Sequence, residues 1–243
     1  PPLTAGRFYH FKDTETAWIE RTTRRLDYVS CSTACPPPPA DWVVKARAVS
    51  ETWIGLDRSA RVVTFGRPTF RSAEARRTFQ HMYGLPATRP FGASRPEHYG
   101  KGGMTFGWDL TYAQLQRLPS DPEKLRRLVY EQAAGSSQAV DPSSSNTLAF
   151  EEFQVIGDLL RASPIRPSVR AALYTILSRM PGVTYGGRVT DPLGRPGIEV
   201  SIAQSSGQAP AILIFDPHTA QLLSEGGGGY SGWSVVDSTR AGG

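Results

Sequence analysis

The chain has 243 residues, 39% of them hydrophobic and 20% charged, with a formal net charge of +5. That length supports a substantial core in one large or two small domains, and no apolar run reaches the ~18 residues that mark a membrane-crossing helix. Of 27 basic residues only Lys12, Lys45, Lys101 and Lys124 are lysine; the arginines are scattered among acids, as in Asp57-Arg58 and Glu74-Ala75-Arg76-Arg77, so the charge reads as a mixed solvated surface and no nucleic-acid partner is expected.

The opening PPLTAGRF lacks the apolar centre of a signal peptide, and a start on two prolines reads as a trimmed segment of a longer protein. Strands are expected over about 7–66. Phe8, His10 and Lys12 alternate with Tyr9 and Phe11, and the β-branched and aromatic content of TETAWIERTTRRLDYVS favours a strand there too. Lys45–Leu56 and Ala60–Phe65 form the arms of a hairpin turned by LDRS, with Trp53 and Gly55 on one face and Ile54 and Leu56 on the other. Residues 67–110, dense in Gly and Pro, are expected to form a long loop with a short helix in AEARRTFQHMYG. GKGGMT in that loop lacks the spacing of a phosphate loop, and EGGGGYSGW near the end lacks the second glycine of a nucleophile elbow.

Helices are expected over 111–181. Thr111 caps a short one carrying Leu115 and Leu118. Asp121 caps the next, with Pro122 in the first helical position, where its missing N–H costs nothing. That helix places Leu125, Leu128, Val129 and Gln132 on one face. The polar SSQAVDPSSSN links to a helix starting near Thr147, whose apolar stripe is Phe150, Phe153, Ile156, Leu159 and Leu160. Pro167 opens the last helix, with Val169, Leu173, Ile176, Leu177 and Met180 at a helical period. Gly182 then supplies a left-handed C-cap.

A strand meander follows over 183–237. Val183, Tyr185 and Val189 are expected to point one way. DPLGR makes a turn, because Pro192 presets φ and Gly194 permits a positive one. Ile198, Val200 and Ile202 alternate on the return strand, and SSGQ and DPHTA turn the chain again. Every special residue from Met180 to Ile202 thus has a backbone reason to be there, and the stretch reads as a corner rather than a site.

The two cysteines, Cys31 and Cys35 in CSTAC, have no further ligands at metal spacing. A local disulfide is favoured, worth about 2 kcal/mol in so short a loop, and it would place the protein outside the cytoplasm; free thiols and metal or redox chemistry are the alternatives. The order strands, helices, strands predicts an α+β fold. Its expected form is a single domain in which a curved antiparallel sheet, a half-barrel like that of lipoprotein carriers, packs around the central helical segment.

The segments LPSDPEKLRRLV, FQVIGDLLRASPIRPSVRAALYTILSRMPGV, GRVTDPLGRPGIEV and ILIFDPHTAQLL occur in this order. Together they resemble a family of uncharacterised actinobacterial proteins anchored by one N-terminal transmembrane helix, whose genes often lie beside those of extracytoplasmic-function sigma factors. The resemblance covers about 110–225 and extends loosely to the W-x-G-x-D-R hairpin at Trp53 to Arg58. It implies the extracytoplasmic part of a membrane-anchored protein, and it carries no catalytic residues over.

Three functions compete. A binding or sensing module would line a concave apolar face with Trp18, Trp53, Phe65, Phe106 and Trp108, taking an apolar ligand as a lipid or lipoprotein carrier does. A partner module would use residues 84–108 of the long loop to meet an envelope protein, linked to sigma-factor regulation. A hydrolase would draw on Asp109, Glu97, His98, Asp216 and His218, but no nucleophile, base and orienting group fall together, and Asp216 in DPHT suits turn initiation. The expectation is therefore a non-enzymatic protein with no cofactor or metal.

Overall fold

The computed structural model of the chain describes residues 4–21, 26–30, 44–56, 59–66, 69–70, 72–74, 76–77, 80, 92–93, 97–99, 106–136, 145–162, 164–204, 210–225 and 228–236. The alternation at the N-terminus becomes one long strand, β1 (Phe8–Arg21), which turns back into β2 (Leu26–Ser30). The expected hairpin is β3 (Val44–Gly55) and β4 (Ser59–Phe65). Three short strands fall inside the expected loop: β5 (Thr69–Phe70), β6 (Gly92–Ala93) and β7 (Glu97–Tyr99). They pair with β3 or β4 and so extend the sheet.

Four helices follow: α1 (Tyr112–Arg117), α2 (Pro122–Ser136), α3 (Ser145–Ala162) and α4 (Pro167–Arg179). Thr111 caps α1 as expected, and Gln114 completes a capping box by reaching back to the Thr111 N–H at 2.8 Å. Asp121 Oδ1 accepts the Lys124 N–H at 2.8 Å at the start of α2. The α2 stripe differs from the expected one. Leu125, Val129 and Ala133 are buried, whereas Leu128 is 37% exposed and Gln132 is exposed. The buried set follows an i, i+4, i+8 spacing, which turns Leu128 to the edge of the contact. α3 begins at Ser145, two residues before the expected start, and its five stripe residues are all buried, as are the five of α4.

The meander is β8 (Val183–Thr190), β9 (Pro196–Ile202), β10 (Ala211–Phe215), β11 (Leu222–Glu225) and β12 (Gly228–Val236). One expectation fails in β8. Tyr185 pairs with Val200 but Gly187 pairs with Glu199, so a bulge interrupts the register. Arg188 then stands opposite Ile198 and Val189 opposite Gly197, and Val189 lies on the other face from Val183 and Tyr185. Gly187, at φ +84°, supplies the positive φ that lets the strand absorb the extra residue.

All strand pairs are antiparallel, in the order β6-β4-β3-β1-β12-β11-β10-β9-β8. The N-terminal strands and the C-terminal meander meet where β1 pairs with β12, Phe8 opposite Val236 through Thr14 opposite Gly229. Among the described residues the chain is an α+β mixture of antiparallel strands and helices, and the strand order does not close into a barrel.

Burial explains why the helices stay on the sheet. α3 lies against β10 and β11, and α4 against β8. Leu159, Leu173 and Leu213 are fully buried within one continuous core that runs from Tyr9 and Ile54 to Leu222. Each such side chain contributes about 1.5–3 kcal/mol of transfer free energy. Phe8, Trp53 and Ala60 form a separate buried cluster, which places them on the sheet face away from the helices.

Candidate functional site

The two faces of the β1–β3–β4 ribbon follow from register, since residues directly opposite share a face. On the helix side the rows are Tyr9–Ile54–Ser59, Phe11–Thr52–Arg61 and Asp13–Ser50–Val63. The first row belongs to the main core. The next two are mixed: Ser50 and Thr52 are buried at 1% and 2% exposure, and Ser50 Oγ accepts the Arg61 Nε–H at 3.0 Å. A buried hydroxyl must find a partner, and here the guanidinium provides one.

The segment leading into α1 lies beside this face. Phe106 is buried, and its ring meets Tyr9 edge-on at 5.8 Å. The Tyr112 ring lies 5.9 Å from that of Tyr9. Burial, together with the hydrogen bond and charge of Tyr112, pushes the Tyr9 hydroxyl well above the usual phenol range. Between Phe106 and Tyr112 a tight 3₁₀ turn, Gly107–Asp109, rests on α3. Trp108 Nε1 donates to the Val155 carbonyl at 2.8 Å. Phe11, Trp108, Leu110 and Tyr112 are all half-buried and all pack against the main core. They form a rim where the apolar interior reaches solvent.

The sequence-predicted aromatic face is divided by this arrangement. Phe106 is buried against Tyr9, whereas Trp108, two residues on, is half-buried at the rim. Trp53 is on the opposite face, buried under His10, whose ring stacks on it at 4.9 Å. There His10 Nε2 and Lys12 Nζ both meet the Glu51 carboxylate, at 3.3 and 3.1 Å. Trp18 pairs with Lys45 and Phe65 with Ala48 along the strands; their side chains, like the Cys31–Cys35 pair and GKGGMT, lie outside the described residues.

The polar row on the helix side went unread in the sequence, for a physical reason. In RAVSETWI both alternating sets mix polar with apolar residues, so period 2 shows a strand without showing which face is buried. Only the alternation of Tyr9 and Phe11 hinted at the inner face.

The candidate acids and bases sit in three separate places. Asp109 is exposed in the 3₁₀ turn, Glu97 and His98 are in β7, and Asp216 and His218 occupy the turn after β10. Asp216 Oδ1 accepts the N–H groups of His218 and Thr219, both at 2.8 Å. Those backbone bonds, that of Thr219 first, hold its carboxyl below the usual range. The DPHTA segment is therefore the Asx-type turn that its sequence suggested.

Other ionic groups tie elements together. Arg161 of α3 bridges Asp158 and Glu225 of β11. Asp191 is the centre of the DPLGR corner. Its Oδ1 accepts the N–H groups of Leu193 and Arg195 at 3.0 and 2.7 Å, and its Oδ2 accepts Nε and Nη2 of Arg195 at 2.8 and 2.6 Å. Arg195 also donates to the Leu223 carbonyl at 2.9 Å, which fastens the β8–β9 turn to β11. Among the described residues no group of three or more His, Cys, Asp or Glu side chains could hold a metal ion, and no helix is long and apolar enough to cross a membrane. No protein-family model, curated protein or solved structure matches this chain.

Proposed function

We propose that the chain is a non-catalytic binding or sensing module working on the extracytoplasmic side of a membrane, with an apolar or amphipathic ligand held at the rim beside α1. The observation that carries this reading is that Phe11 on β1 and Trp108, Leu110 and Tyr112 on the segment into α1 are half-buried apolar side chains packed against the main core. Core residues are ordinarily covered, and an apolar edge that meets solvent beside ordered polar groups is how small-molecule sites are built. Thr52 and Arg61 in the row of Phe11, and Ser50 in the next, suit the polar end of an amphiphile. A half-barrel curvature of the sheet would make the rim concave, as in lipoprotein carriers. The link to a membrane anchor and sigma-factor regulation rests on the resemblance of 110–225, and the extracytoplasmic location on that resemblance and on the expected Cys31–Cys35 disulfide.

The test is direct. Protein purified without detergent is analysed by native mass spectrometry before and after organic-solvent extraction, and the extracted protein is titrated with bis-ANS. The expected result is a bound apolar mass that extraction removes, followed by saturable dye binding that Phe11→Asp abolishes without lowering the helical signal by circular dichroism. Absence of both the bound mass and saturable dye binding would refute the reading.

A further inference from the structure

Trp108 and Asp109 both lie in the left-handed backbone region, at φ 67° and 55°. A side chain there disfavours the conformation on the order of tenfold per residue, less for Asp than for Trp. The pair is closed into a small loop by Phe106, whose N–H donates to the Leu110 carbonyl at 3.1 Å. Docking of the indole holds it: the ring packs on the core, and Nε1 bonds the Val155 carbonyl within α3. A helix-interior carbonyl already accepts the N–H four residues on, so the indole occupies its second lone pair. Releasing that bond leaves the helix satisfied, and the backbone relaxes as the indole leaves.

We propose that Phe106–Leu110 is a strained latch over the apolar rim. In the closed state described above the indole is docked on α3. In the open state residues 108 and 109 leave the left-handed region, the indole departs from Val155, and the space it vacates against α3 receives the apolar part of a ligand. Strained backbone retained against its own preference is characteristic of ligand clamps and switch segments. The ligand half of the inference rests on the binding reading above; the latch itself does not.

Two substitutions and two readouts separate these. Trp108→Phe keeps an aromatic ring but removes the indole donor, and Asp109→Gly removes the strain at 109. Amide exchange at Phe106 reports opening of the turn, and the Leu173 amide in α4 reports global unfolding. The latch predicts that Phe106 exchanges through a local opening in the native protein. That opening rises about fivefold in Trp108→Phe, the equivalent of one net hydrogen bond, and falls severalfold in Asp109→Gly, with Leu173 protection in Asp109→Gly no lower than in the native protein. Bis-ANS affinity follows the opening in the same direction. Exchange at Phe106 that matches Leu173 in all three proteins overturns the latch. Local opening without any dye binding supports the latch and removes the ligand reading instead.

Discussion

Asp191→Ala tests whether the DPLGR corner is held by one buried carboxylate. The side chain is fully buried and receives four hydrogen bonds, two from backbone N–H groups and two from the Arg195 guanidinium. Hydrogen bonds to charged groups contribute about 1.5–3 kcal/mol each when made in isolation. They are not additive here. Arg195 is about one-third exposed and recovers water once its partner is gone, whereas the turn N–H groups of Leu193 and Arg195 have less access to it. Removing one partner of a buried pair costs roughly 3–5 kcal/mol, and the water recovered by the guanidinium brings the expected loss to about 3 kcal/mol. In urea this lowers the unfolding midpoint by about 1 M or more. Asp191→Asn retains an acceptor for the backbone donors and should lose roughly half as much. Arg195→Ala keeps the backbone bonds but frees the Leu223 carbonyl, and should fall between the two. The assay is equilibrium urea unfolding followed by circular dichroism. A loss below about 1 kcal/mol in Asp191→Ala, or equal losses in the Ala and Asn variants, would refute the assignment of the corner to this carboxylate.

Leu213→Ala removes a fully buried side chain from β10 where α3 crosses the sheet, and should cost about 2–5 kcal/mol in the same assay with an unchanged m-value. Glu152 is buried on α3, and that burial raises its carboxyl above the ordinary 4.5, with Arg126 pulling the other way. A raised folded-state value favours the protonated form. Its stabilising contribution is therefore full below the ordinary value and is lost as pH rises through the raised one. Glu152→Gln cannot ionise, so its thermal midpoint should gain on that of the parent chain as pH rises from below 4.5 towards neutrality. A difference that stays constant over that range, measured by calorimetry at matched ionic strength, would contradict the assigned cause.

Much of the fold was legible because local chemistry specifies it. Thr111 and Asp121 start their helices through hydrogen bonds made within three residues. The stripes of α3 and α4 follow the 3.6-residue period that any partner surface would select. α4 ends instead at Met180, extended before Pro181, and the expected left-handed cap at Gly182 is part of the turn that follows, where φ +81° lets the Val183 N–H reach the Met180 carbonyl. Asp191 and Asp216 turn the chain with their own side chains. These features need no knowledge of the rest of the molecule, and the α+β class follows from their order.

Local chemistry therefore specifies most elements and the corners between them. How they face one another is set by contacts between residues distant in the chain. β1 finds β12 at the opposite end of the chain, because a strand's period of two states which side is apolar and says nothing about which strand lies beside it. Trp53 faces away from the helices while Ile54 faces them, a choice that a mixed strand such as RAVSETWI leaves open until both layers are in place. The bulge at Gly187 and the left-handed pair Trp108–Asp109 depend on backbone angles that only neighbouring packing can enforce. The rim that carries the proposed function is assembled from β1 and from the turn into α1, roughly a hundred residues apart in the chain, and spacing along a strand or helix cannot encode a surface of that kind.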